Sequence, residues 1–341
     1  MIAAATVGAI LLASISLYAV FGGADFGGGL WDLLAGGDQR GSGPRKLIDE
    51  SITPVWEANH VWLIFDLVIF WTAFPHAFAP VMIGLALPLW LAVGGIVLRG
   101  AGFAFRKEAR TLSTQRVLGA VFAFSSLLTP FFMGTAVGAI AAGQVRVSAA
   151  AASVATWTGT LPLLTGFLFT AACGYLAAVY LTTEAGQRGQ RHLEVYFIRR
   201  AQAAAIVTGA LSLAALWAVH ESEPGLFDRL TGRALPLVII AGLCGAVSLA
   251  MLSLRRMPGI RYIAAFAVVA VIWGWGVAQY PVLLPGTGVT LRNAGAPHAT
   301  LAAIIVLFVA VAVLIGPSFA LLFSLHGRQA LRDEHEQREE T

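Results

Sequence analysis

Long apolar runs alternate with short polar stretches along nearly the whole chain. Runs of about 20 apolar residues recur at about 3–24, 54–74, 77–98, 117–141, 157–181, 199–219, 234–254, 261–283 and 299–324. A helix of that length crosses about 30 Å of hydrocarbon at 1.5 Å per residue. The runs are continuous, whereas barrel strands would give only weak alternation in short segments. The pattern therefore predicts an all-α integral membrane protein of about nine transmembrane helices. Only Phe74-Pro75-His76 separates the second run from the third, which predicts a tight helical hairpin there. No internal repeat and no soluble domain emerges. Residues 1–325 read as one polytopic transmembrane domain and 326–341 as a short charged tail.

The basic residues supply an orientation. With the N-terminus outside and one crossing per run, the inner segments collect Arg40, Arg45 and Lys46, then Arg99, Arg106, Lys107, Arg110 and Arg116. Further along they collect Arg188, Arg191, Arg199, Arg200, Arg255, Arg256, Arg261, Arg328, Arg332 and Arg338. Only Arg146, Arg229, Arg233 and Arg292 fall outside. Inner enrichment of Lys and Arg is the positive-inside pattern, and eight or ten spans would break it part-way along. The expectation is an outer N-terminus and a cytoplasmic C-terminus. The first run lacks a basic leader and a convincing cleavage site, so it reads as a retained helix rather than a signal peptide.

Composition agrees. Hydrophobic residues make up 58% of the 341 positions and charged ones 12%, about half the charged share of ordinary soluble domains. The mean hydropathy is +0.78. The net charge of +4 and pI near 9.4 do not indicate nucleic acid, because the basic residues are spread thinly between apolar spans. Cys173 and Cys244 lie inside apolar segments with no metal-ligand spacing, and read as small hydrophobes packed between helices. There is no phosphate-binding loop, dinucleotide fingerprint or nucleophile elbow.

In such a chain the informative residues are polar ones at membrane depth. One cluster is Phe21-Gly22-Gly23-Ala24-Asp25-Phe26-Gly27-Gly28-Gly29-Leu30, at the inner end of the first span. Glycines weaken a helix by up to about 1 kcal/mol each, but they admit close approach of another backbone or a bound group. The cluster reads either as a helix end in the interface with Asp25 hydrated, or as a site. The second cluster is Ile52-Thr53-Pro54-Val55-Trp56-Glu57-Ala58-Asn59-His60-Val61-Trp62-Leu63-Ile64, opening the second span. Pro54 suits a first helical turn. His60 lies three residues beyond Glu57 on the same face, and a carboxylate beside an imidazole can pass a proton. Trp56 and Trp62 serve equally as interface anchors.

Asp25 and Glu57 then lie on the cytoplasmic side of adjacent spans. They either begin a proton path or anchor helix ends by pairing with Arg45 or Lys46. Asp66 lies deeper, on one face with Asn59 and Leu63, where it can continue a polar track. Burying its charge costs several kcal/mol, so the carboxyl there is neutral or paired. At the outer end of the eighth span, Trp273, Trp275 and Tyr280 suit either a lipid or quinone contact or plain interface anchoring. His76, His192, His220, His298 and His326 stand alone, with no pair placed for bis-histidine haem ligation.

The glycine motif around Asp25, the stretch Pro54–Ile64, Ala73-Phe74-Pro75, Leu98-Arg99-Gly100-Ala101-Gly102-Phe103-Ala104-Phe105-Arg106 and Ala278-Gln279-Tyr280-Pro281 together resemble subunit II of cytochrome bd-type quinol oxidases. The resemblance runs from end to end. It implies a heterodimer in the bacterial cytoplasmic membrane with a haem-bearing subunit I, which carries two haems b, one haem d and the quinol site. The complex oxidises quinol, reduces dioxygen to water and takes its protons from the cytoplasm. The resemblance implies that subunit II is not active alone and binds none of these haems. It stabilises its partner and, in some members, contributes a proton route. A small accessory subunit, membrane lipid and a structural quinone remain open. The family acids correspond to Asp25 and Glu57, whereas Asp66 lies outside the pattern. Trp56, Asn59, Trp62 and Arg99 belong to the motif framework. The competing reading is a proton-coupled secondary transporter using Asp25, Glu57 and Asp66.

Overall fold

The computed structural model describes residues 2–52, 56–109, 111–147 and 153–314, with the backbone alone at 38, 39, 52, 56–58, 107 and 112. The expected tail and the end of the last span lie outside the described residues, as do Pro54 and the side chains of Trp56 and Glu57.

The described chain is almost entirely helical. In order it forms α1 (Ile2–Leu33), α2 (Asp38–Ile52), α3 (Trp56–Ala73), α4 (Pro75–Gly84), α5 (Ala86–Glu108) and α6 (Leu112–Ala141). There follow α7 (Thr160–Gln187), α8 (Arg191–Ser222), α9 (Pro224–Thr231), α10 (Leu235–Ser253), α11 (Ile260–Gln279), α12 (Leu291–Ala294) and α13 (His298–Leu314). Seven helices, α1, α5, α6, α7, α8, α10 and α11, are long and apolar enough to cross a membrane. Two shorter apolar helices, Asn59–Ala73 and His298–Leu314, fall where the sequence places further spans.

Three expectations change. α1 does not end at the glycine cluster but runs on to Leu33, with Gly22, Gly23, Asp25 and Gly27–Gly29 buried inside it. In lipid every peptide group must find a partner within the chain, so a helix persists through glycines that would end it in water. The expected tight hairpin after Phe74 is opened by α4: α3 packs chiefly on α1, and α5 on α6. A two-stranded antiparallel ribbon, Val282–Leu284 with Val289–Thr290, also interrupts the helical pattern beyond α11. Its turn carries Gly286 and Gly288 at φ 74° and 75°, which only glycine adopts without cost.

α1 is the central element, in contact with α3, α6, α7 and α11. Its indole at Trp31 donates to the Gly174 carbonyl on α7 at 2.8 Å. The α2 end of the bundle is closed by ion pairs. Asp32, buried at the end of α1, accepts from Arg45 of α2 at 3.0 Å and from Arg106 of α5 at 2.9 Å. Arg106 also pairs with Asp49. Arg188 joins Glu50 to Glu184, and Arg261 reaches Glu184 at 3.3 Å. Among the described residues, the acids that meet Arg45 and Lys46 are thus Asp32 and Glu50, not Asp25. Replacing Asp32 by Asn leaves two guanidinium groups facing each other across a buried site. The expected cost is about 2 kcal/mol, read as a lower melting temperature of the detergent-solubilised protein. The deficit should narrow as salt rises, and an unchanged melting temperature would show that the cluster does not clamp α2.

Candidate functional site

The seam between α1 and α3 holds the polar residues that the sequence singles out. Asp25 lies on one face of α1 with Ser14 and Tyr18, by the spacing of a 3.6-residue turn. Asn59 and Asp66, seven residues apart, share a face of α3. The two helices are joined through Asn59, whose amide donates to the Asp25 carboxylate at 2.5 Å. Both residues are buried, Asp25 to 3% exposure.

Arg99 of α5 completes this end of the seam. Its guanidinium is 2% exposed, donating to the Asp25 backbone carbonyl at 2.9 Å and to the Ser126 hydroxyl at 3.1 Å. It lies over the rings of Phe26 and Phe122, with centroids at 5.0 and 5.2 Å. The positive charge therefore sits beside Asp25 without a direct ion pair to its carboxylate. A buried carboxylate with one amide donor and a nearby cation is held in place yet keeps a free oxygen edge for a proton. Ser126 in turn gives its own hydroxyl hydrogen to the Phe122 carbonyl at 2.6 Å.

His60 stands beside this centre, edge-on to Tyr18 at 6.3 Å and to Phe26 at 6.2 Å. Trp62 packs against the cluster of Tyr18, Phe26 and Cys173. Asp66 is 8% exposed, two turns from Asn59 along α3. The sequence-selected Asp25, Asn59, His60, Trp62, Asp66 and Arg99 are thus brought onto one seam. Glu57 begins the same helix, but its side chain and that of Trp56 lie outside the described residues.

The aromatics near the end of α11 are not gathered in the same way. Trp275 packs inward on the cluster of Ala218, Ala234 and Ala278. Tyr280 stands half exposed, its carbonyl taken by Arg233. Sequence reasoning passed over Tyr18, Ser14 and Ser126. The signal for the first two was the Ser14, Tyr18, Asp25 spacing on one face of α1, hidden because a hydroxyl in an apolar span reads as tolerated rather than placed. Of the cysteines, Cys173 is buried against α1 and Cys244 is only partly covered.

The chain and its fold have known counterparts. The chain matches the family model for cytochrome bd terminal oxidase subunit II over residues 4–326. It is 31% identical over 112 residues to cytochrome bd ubiquinol oxidase subunit 2 of Bacillus subtilis (strain 168), covering 33% of this chain and 32% of that protein. It is 26% identical over 126 residues to cytochrome bd-I ubiquinol oxidase subunit 2 of Escherichia coli (strain K12), covering 37% and 32%. The aligned segments thus span about a third of these curated relatives. In fold the chain is similar to a chain of the bd oxidase from Geobacillus thermodenitrificans, with a TM-score of 0.74 at 22% identity over 95% of this chain and 98% of that one. The family model spans nearly the whole chain, including both acidic motifs: this multi-pass membrane protein belongs to the cytochrome bd terminal oxidase subunit II family.

Proposed function

We propose that the chain is the non-haem subunit of a quinol-oxidising, oxygen-reducing complex of the bacterial cytoplasmic membrane. In it the chain pairs with and stabilises a haem-bearing subunit, and the α1–α3 seam offers protons a route from the cytoplasm. The observation that carries this reading is the buried Asp25, held by Asn59 and overlooked by Arg99, in a chain that matches the family over residues 4–326. Nine spans with an outer N-terminus and a cytoplasmic C-terminus fit it. The side chains assigned inside, Arg45, Lys46, Arg106, Arg188 and Arg261, meet in linked ion-pair clusters at the α2 end. Arg229 and Arg233, assigned outside, bind the Ala278 carbonyl.

Haem b and haem d, and oxidation of the quinol, belong to the partner in this reading. An axial haem ligand must face a pocket. Of the described histidines, His76, His192, His220 and His298 are exposed and His60 is wedged against Tyr18 and Phe26. Cys173 packs on Gly23 and Gly27 of α1. These residues do not fit a haem, and no redox step is assigned to this chain. Its own task is to hold a proton at the Asp25 carboxyl and pass it along the seam, Glu57 and His60 serving the entrance.

Purifying the tagged chain from its native membrane tests this. The expected result is co-purification of a haem-bearing partner with haem b and haem d bands in the reduced-minus-oxidised spectrum. Asp25→Asn and Glu57→Gln should then each slow oxygen reduction roughly tenfold or more with haem content unchanged. Haem lost together with activity would leave only the stabilising role. A chain that purifies alone, colourless and folded would move the transporter reading to the front.

A further inference from the structure

Three side-chain oxygens on the α1–α3 seam are buried and have no hydrogen-bond partner among the described residues: Ser14 Oγ, Tyr18 Oη and Asp66 Oδ1. Their residues are 1%, 4% and 8% exposed. Each such group forfeits about 1–3 kcal/mol, and folded proteins keep few of them. Three on one seam form a set rather than scattered defects.

Ser14 is the telling member. Thr6 and Ser16 on the same helix return their hydroxyl hydrogens to the carbonyl four residues back, at 3.0 and 2.8 Å. Ser14 does not, and its hydroxyl lies beside the Asp66 carboxyl. Tyr18 joins this pair to the Asp25 centre. Its ring lies over Gly22, where an added Cβ would come within 2.9 Å of it, and edge-on to Phe26 and His60. It sits within electrostatic reach of Asp25, Asp66, Arg99 and Cys173. The register of the two helices requires this: Asn59 meets Asp25, so Asp66, seven residues on, lies level with Tyr18, seven residues back. The two acids are thereby separated by about 10 Å along the seam. Arg99 serves the Asp25 end, and among the described residues Asp66 has no ion-pair partner.

We propose that Asp66, with Tyr18 and Ser14, forms a second proton-holding site at membrane depth, into which the Asp25 centre discharges. This rests on the proton-route reading above. The transfer is a simple exchange: an O–H bond breaks at the donor, water or the Tyr18 phenol, and a new one forms at an Asp66 carboxylate oxygen. The phenol regains its hydrogen from the Asp25 side, over water in the interval, so no charge is left behind on Tyr18. Ser14 gives its hydrogen to the carboxyl when the proton has moved on. A carboxyl without a cation partner holds charge in this setting only briefly, which makes it a relay rather than an anchor. Through Tyr18 the site is connected to the other titratable and charged groups: Asp25, Arg99 and Cys173 act on the phenol, and His60 stands edge-on to its ring.

The test uses the purified complex and the isostere Asp66→Asn, with Asp66→Glu, Tyr18→Phe and Ser14→Ala. Infrared spectra should contain a carboxylic-acid carbonyl band that Asp66→Asn removes and Tyr18→Phe or Ser14→Ala shifts. Oxygen reduction in Asp66→Asn should fall roughly tenfold at unchanged haem content, with partial recovery in Asp66→Glu. Should Asp66→Asn fail to assemble, Tyr18→Phe and Ser14→Ala decide, since each removes only a hydroxyl. Unchanged turnover in both, or a carboxyl band that neither shifts, overturns the site. If the chain carries no haem-bearing partner, the oxidase reading fails on that ground. The infrared experiment on the chain alone still decides whether Asp66 holds a proton beside Tyr18 and Ser14.

Discussion

Gly27→Val should leave little or no folded protein in the membrane. A Cβ on Gly27 would stand 1.9 Å from the Cys173 carbonyl oxygen, 2.5 Å from its carbon and 2.7 Å from Ala177 Cβ. Two of these are backbone atoms of α7 and cannot swing aside, so the helices themselves would have to part. Gly23, one turn earlier, faces the same residue, its Cβ position 3.5 Å from Cys173 Sγ. The pair makes the small-residue seam by which membrane helices approach closely. Overpacking of this kind costs about 1–3 kcal/mol where side chains can yield, and more is expected where they cannot. Separating α1 from α7 would also break the bond from Trp31 to Gly174 and displace Asp25 from Arg99. The measurement is the yield of monodisperse protein in detergent, beside Gly94→Ala and Gly242→Ala as controls. Those glycines have nothing within 4 Å of an added Cβ and lie in helices, so the controls should be neutral or gain up to about 1 kcal/mol. Equal yields for Gly27→Val and the controls would mean that α1 and α7 are not in contact as described.

The same glycines mark where sequence reading succeeded and where it stopped. Their clustering pointed to close approach, and that is what Gly27 and Gly29 supply, the latter with a Cβ position 2.3 Å from Ser126. The inference that the helix ends there was misplaced, because it weighed glycine by its cost in water rather than in lipid. The seven longest helices lie within or across the apolar runs, since the length of hydrocarbon is a strong constraint on the chain. The division of the third run into α4 and α5 was not visible: it depends on Leu85, an apolar residue like its neighbours, falling at a break in the helix.

At the site, charge betrayed its members and partnership did not. Asp25 and Asp66 stand out because each is costly in an apolar span, and Asn59 was found beside Glu57. Arg99 was placed in an inner segment as a topology charge, whereas it is buried inside α5. That Asn59, rather than Arg45 or Lys46, meets Asp25 depends on the register of α1 against α3. No local spacing records that register. Tyr18 and Ser14 escaped for the converse reason: hydroxyls carry little cost in a span, so nothing in the sequence separates Ser14 from Ser16. Only the three-dimensional comparison does, where Ser16 returns its hydrogen to its own helix and Ser14 does not.

Arg99→Met should be the most damaging single change at the polar centre, and the damage should be partly reversible by a second. Methionine fills much of the apolar volume of the arginine stem between Phe26 and Phe122, so packing loss is kept small. What disappears is the buried positive charge and its bonds to Ser126 and the Asp25 carbonyl. Among the described residues the Asp25 carboxylate is then left with Asn59 as its one donor. Breaking a direct buried ion pair costs about 3–5 kcal/mol, largely because the other charge is stranded. Less is expected here, because Arg99 reaches the Asp25 backbone carbonyl and not its carboxylate. Arg99→Lys should recover little, since an ammonium cannot reach two oxygens in a fixed fork. Asp25→Asn in the Arg99→Met background removes the stranded charge, and the two changes together should cost less than their sum by about 1–3 kcal/mol. Thermal melting of the four proteins in one detergent gives the cycle directly. Strict additivity would show that Arg99 acts on this centre only as a donor to the backbone and to Ser126, and that its charge does not hold Asp25. Coupling would make Arg99 the counter-charge that lets a carboxylate reside at the mouth of the seam, ready to receive a proton and give it up.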